Sequence, residues 1–99
     1  MSEIVRNGNG VTIRLGARLD TVNAGDFERE IEQLISESGL DVEFDCNNLD
    51  YISSSGLRVI LKSQKKITAN KGKMKLTGVK PQIRKIFDMT GFSRFLRME

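Results

Sequence analysis

The spacing of apolar positions changes several times along the chain, and each change marks an element. Ile4-Val5 and Val11-Thr12-Ile13-Arg14-Leu15 flank Asn7-Gly8-Asn9-Gly10. Asn and Gly tolerate positive φ, so the chain is predicted to open with two strands joined by a tight turn. Over residues 23–38 the period lengthens: Ala24, Phe27, Ile31, Leu34 and Ile35 fall on one helical stripe, with Glu28, Glu30, Glu32 and Glu37 elsewhere. Thr21 or Asn23 can cap the start of this helix, and Gly39 suits its exit. Val42, Phe44 and Cys46 then alternate with Glu43 and Asp45, the pattern of a strand with one buried face.

Beyond the serines at 53, 54 and 55, Leu57, Ile60, Leu61 and Ile67 return to helical spacing as far as the stop signal Asn70-Lys71-Gly72. A second helix therefore opens at or near the serines. Lys73-Met74-Lys75-Leu76-Thr77 alternates again as a strand, and Pro81 stands in the first turn of a third helix that carries Ile83, Ile86 and Phe87 and ends at Gly91. Phe92, Phe95, Leu96 and Met98 form an apolar tail that must dock on the body, as a short strand or a final helical turn. Strands alternating with helices after a hairpin imply right-handed crossovers. The expected fold is α/β: a mostly parallel sheet of four to five strands with one antiparallel edge. The period of two in its strands places the helices mainly on one face. One domain over residues 1–99 is expected.

Composition narrows the classes. With 38% hydrophobic and 29% charged residues the chain reads as an ordinary globule. A net charge of +3 is too mild to point to nucleic acid, and no apolar run suits a bilayer. Met1-Ser2-Glu3-Ile4 lacks the basic-then-apolar pattern of a signal region, so a cytoplasmic location is expected. The lone cysteine, Cys46, has no disulfide partner within the chain and reads as a small core residue; with no His in the sequence, neither a metal nor another cofactor is expected. A serine hydrolase would need a general base beside its serine, and the chain has neither His nor G-x-S-x-G. No phosphate-binding G-x-x-x-x-G-K-[ST] is present either, so the chain is read as a non-enzyme. Arg58, Lys62, Lys65 and Lys66 recur on one side of the second helix; without interleaved aromatics they read as a solvated face. Tyr51 is the one tyrosine, expected to pack near a strand end rather than to act in chemistry.

The informative segment is Asp50-Tyr51-Ile52-Ser53-Ser54-Ser55-Gly56-Leu57-Arg58-Val59-Ile60-Leu61. Serines between a strand and a helix lie where the first-turn amides have no intrahelical partner, and capping accounts for one of them. Three consecutive small hydroxyls ending in Gly also make a low-bulk loop that another protein's active site can approach.

This run resembles the signature of STAS domains of the anti-sigma factor antagonist (SpoIIAA-like) type. Two further segments agree: Leu15-Gly16-Ala17-Arg18-Leu19-Asp20 looks like that family's turn ahead of the first long helix, and Arg84-Lys85-Ile86-Phe87-Asp88-Met89-Thr90-Gly91-Phe92 looks like its closing helix and loop. The resemblance implies a STAS fold and a switched binding protein. Its unphosphorylated form would bind an anti-sigma factor serine kinase, a GHKL-type ATPase, and so release a sigma factor. Phosphorylation of Ser54, with Ser55 as the fallback, would abolish binding, and a PP2C-type phosphatase would reset it. Asp20, Arg18, Thr21, Ser53, Ser54, Ser55, Gly56 and Arg58 are the implied partner-binding residues, and a monomer is expected. Ser53 stands where many members have Asp, and Arg18 where many have Glu. The rival within the same family is a non-switched scaffold subunit of a transporter or stress-signalling complex.

Overall fold

The computed structural model describes residues 3–99; Met1 and Ser2, the start of the stretch read for a signal region, lie outside the described residues. In chain order the elements are β1 (Glu3–Asn7), β2 (Gly10–Arg14), β3 (Arg18–Leu19), α1 (Ala24–Glu32), β4 (Asp41–Asp45), β5 (Tyr51–Ile52), α2 (Ser54–Ala69), β6 (Lys73–Thr77), α3 (Pro81–Thr90) and β7 (Arg97–Met98). The hairpin β1–β2 is antiparallel, with Asn7 opposite Gly10. The remaining strands join it in parallel, in the order β1-β2-β4-β6-β7. Among the described residues, no helix is long and apolar enough to cross a membrane.

Alternation decides which face is covered. Val11, Ile13, Val42, Phe44, Met74 and Leu76 are buried in one core with Phe27, Ile31, Ile60, Ile67, Ile83 and Phe87 from the helices. The Phe27 and Phe44 rings meet edge to face with centroids 6.2 Å apart, a favoured aromatic geometry. The intervening residues Thr12, Arg14, Glu43, Asp45, Lys75 and Thr77 stay half-buried or exposed on the opposite face. There they satisfy one another across the parallel register: the Thr77 hydroxyl donates to Glu43 at 2.6 Å, and Arg14 approaches Asp45 at 3.6 Å. The expectation of helices over one face holds. Cys46 is buried as expected, and burial, with Asp45 beside it, pushes its thiol up to about 12.

One element end departs from the pattern. The first helix stops at Glu32 instead of Ser38, and Leu34–Ser36 tighten into a 3-10 turn. The Ser36 hydroxyl donates to the Glu32 carbonyl at 2.9 Å, and the Ser36 amide bonds the Gln33 carbonyl three residues back. Such serine back-bonding competes with the helix ladder. Ile35 is still buried, so the apolar stripe survives the change of winding. After α3, Gly91 takes the left-handed exit at φ 81°. The tail then uses both expected forms, a 3-10 turn at Phe92–Arg94 followed by β7, whose Met98 pairs with Leu76. Leu96 docks, but Phe95 remains 65% exposed. Phe95 closes the 3-10 turn with helical dihedrals, φ −104° and ψ −9°, ahead of β7.

Candidate functional site

The serines divide the labour of starting a helix. Ser53 has extended dihedrals (φ −90°, ψ 172°), and its hydroxyl oxygen accepts from the Gly56 amide at 3.1 Å. It is buried and holds the cap. Ser54 is the first helical residue and exposed; Ser55, the second, is half-buried. Because Ser53 already satisfies the cap, the Ser54 hydroxyl has no structural duty to leave.

A short parallel bridge, invisible to the strand patterns, fixes this arrangement. β3 pairs with β5, aligning Arg18 with Tyr51 and Leu19 with Ile52. The Asp50 amide donates to the Ala17 carbonyl at 2.8 Å, and the Ser53 amide to the Leu19 carbonyl at 2.9 Å. The bridge draws the turn around Asp20 against the serine loop. Gly56 permits the approach: a Cβ built there would lie 2.7 Å from the Leu19 carbonyl oxygen and 2.9 Å from Ile52 Cγ1. Only a residue without a Cβ lets α2 begin this close to the β3 segment.

Asp20 organises the neighbouring turn. Its carboxylate accepts from the Val22 and Asn23 amides at 3.0 and 3.1 Å and from Arg18 Nε at 3.1 Å. Asn23 replies, its side-chain oxygen accepting from the Asp20 amide at 2.8 Å. The entry to α1 is thus held by an Asp20–Asn23 exchange. This corrects the expected cap: Asn23 makes no side-chain bond into the helix, and Thr21 is simply exposed. The Arg18 guanidinium, followed by the Asn23 and Val22 amides, holds the Asp20 carboxyl below its ordinary value. Arg18 also covers the Tyr51 ring, 4.5 Å from its centroid. Tyr51 opens β5, near a strand end as expected, and is 44% exposed, packed against Arg18 and not against the core. Lys80 pairs with Asp50 beside it.

Of the implied partner-binding residues, Arg18, Asp20, Ser53, Ser54, Ser55 and Gly56 gather at the β3–β5 bridge and the start of α2. Thr21 follows on the same turn, and Arg58 is exposed one helical turn beyond Ser54. The basic stripe does not hold together. Lys62 pairs with Glu28 of α1 at 2.6 Å and Lys66 leans toward the same helix, while Arg58 and Lys65 border the opposite flank of α2. Sequence reading missed that opposite flank, a groove lined by Leu61, Phe92 and Phe95; the surplus of apolar residues after Gly91 was its only signal. Among the described residues no group of three or more His, Cys, Asp or Glu is placed to hold a metal ion.

The sequence profile of the STAS domain family matches residues 2–99. A Bordetella bronchiseptica protein, BtrV, named as an anti-sigma factor antagonist, is 35% identical over 74 residues, 75% of this chain and 64% of BtrV. Among solved structures, the anti-sigma factor antagonist SpoIIAA in its unphosphorylated form superposes with TM-score 0.84 at 21% identity, covering 100% of this chain and 88% of SpoIIAA. The Bacillus cell fate determinant SpoIIAA in its phosphorylated form gives 0.76 at 20% identity, covering 100% and 91%.

Gly56→Ala should lower the unfolding free energy in a denaturant titration by about 1–3 kcal/mol, even though alanine is the better helix former by about 1 kcal/mol. Gly25→Ala is the control, since its Cβ meets nothing nearer than the far end of Arg29 at 3.7 Å, and it should be neutral or stabilising. By NMR titration Asp20 should ionise below the usual aspartate value, and Arg18→Ala should move it back up. A depressed folded pKa means the associated stability is present above the unfolded value and lost as pH falls through the folded one.

Proposed function

The chain belongs to the STAS domain family, and we propose that it acts there as an anti-sigma factor antagonist, one cytoplasmic domain over residues 1–99 with no chemistry of its own. Unphosphorylated, it binds an anti-sigma factor that is also a serine kinase, of the GHKL type, and a sigma factor is set free. Phosphorylation of Ser54, or of Ser55 behind it, ends that binding, and a PP2C-type phosphatase restores it. BtrV and SpoIIAA carry the antagonist description, and SpoIIAA is known in two phosphorylation states. Both support the reading.

The observation that carries it is the exposed Ser54 hydroxyl directly after a buried Ser53 cap. A phosphoryl group brings about −1.5 to −2 charge and three acceptor oxygens. On Ser54 it would sit at the positive end of α2 and one turn from Arg58, an i,i+4 neighbour with no carboxylate partner among the described residues. The domain itself should therefore accept the charge. A partner packed on the bare hydroxyl meets added bulk, desolvation and repulsion from any acid opposite. A loss of about 3 kcal/mol weakens binding more than a hundredfold, at 1.4 kcal/mol per factor of ten.

The test combines labelling and capture. Incubation with the purified kinase and ATP should place phosphate on Ser54 or Ser55 by mass spectrometry, and Ser54→Ala with Ser55→Ala should remove it. Ser54→Ala should capture the kinase in a pull-down, and Ser54→Asp should not. Labelling that persists in the double alanine variant contradicts the switch; equal capture by Ser54→Asp favours a scaffold.

A further inference from the structure

The serine loop is one end of a longer feature. Between α2 and the turn after α3 runs a groove whose first stretch, about 310 Å³, is bordered by Ser54, Arg58, Leu61 and Phe92. Its second stretch, about 620 Å³, continues past Leu61 and Phe92 to Gln64, Lys65 and Phe95. Leu61 and Phe92 border both, so the two stretches adjoin along one flank of a sixteen-residue helix, about 24 Å long.

Two features define what fits it. Its floor is apolar, and Phe95, 65% exposed, lies beside Leu61 and Phe92. Arg58 and Lys65 line it with no carboxylate partner among the described residues, and no acidic side chain borders either stretch. On the other flank of the same helix Lys62 is matched by Glu28. Lys66, also on that flank, lies beside Glu28 and Glu32, whereas Arg58 and Lys65 have no acid beside them within the groove.

We propose that this groove is the docking channel for an acidic amphipathic helix of the same anti-sigma factor whose kinase site meets Ser54; the inference rests on the antagonist reading above. Apolar residues of that helix cover Leu61, Phe92 and Phe95, and its carboxylates meet Arg58 and Lys65. The switch then acts twice. A phosphate on Ser54 repels the acidic occupant at the mouth of the groove, and it draws on Arg58, removing one of the two cations that the occupant uses.

The experiment uses the full chain and the purified kinase that labels the serine loop. Phe95→Ala and Lys65→Glu are made, with Lys85→Glu as an exposed charge control outside the groove, and circular dichroism checks that each remains folded. By calorimetric titration Phe95→Ala and Lys65→Glu should each weaken binding about tenfold or more, the range of interface anchors, with Lys85→Glu unchanged. In phosphorylation assays they should raise KM for the protein substrate and leave kcat unchanged. Groove variants that bind like the unsubstituted chain overturn the channel and leave the antagonist reading standing. A kinase that fails to bind even the unsubstituted chain overturns both. A dimer in sedimentation analysis that Phe95→Ala dissociates assigns the groove to a second copy and overturns the proposal.

Discussion

The carbonyl oxygen of Leu19 is the point on which this architecture turns. It accepts the Ser53 amide at 2.9 Å, and it lies 2.7 Å from where a Cβ on residue 56 would stand. That one approach joins β3 to β5, forces a glycine into the first turn of α2, seats Ser53 in the cap and leaves Ser54 outside. If the Leu19 segment were moved back by the width of a methyl group, the Asp20 turn and the serine loop would become separate features.

Much of this was legible from spacing. The β6 strand and α3 fall where alternation, Pro81 and Gly91 put them, because a period of two or 3.6 is imposed by the geometry of burial. The serines were legible as a helix start, and which of them is free was not. That depends on Ser53 reaching the Gly56 amide, a relation set by backbone dihedrals. The β3–β5 bridge escaped for the same reason: two-residue strands have no period to read. Thr21 and Asn23 looked like equivalent caps, yet Asp20 answers the free amides because its side chain folds forward onto Val22 and Asn23. In the apolar tail, spacing does not separate Leu96, which docks, from Phe95, which ends the 3-10 turn and stays exposed.

The arrangement separates support from signalling. The polar face of the sheet satisfies its own side chains, and the apolar face is filled by three helices around Phe44 and Phe87. Neither depends on the Ser54 hydroxyl. A modification at Ser54 therefore changes the surface a partner meets, with the buried Ser53 cap and the Gly56 contact undisturbed beneath it. Arg18, paired with Asp20 and lying over Tyr51, adds a charged rim beside the switch.

The central claim is that a doubly negative group at residue 54 is borne by the fold without loss. The direct measurement is equilibrium denaturation of the chain with phosphoserine installed at position 54, compared with the unmodified chain. The account predicts an unfolding free energy that is unchanged or raised by up to about 1 kcal/mol, the usual value of an anion at a helix start. A drop of several kcal/mol would mean that the hydroxyl belongs to the core's support and would contradict the account.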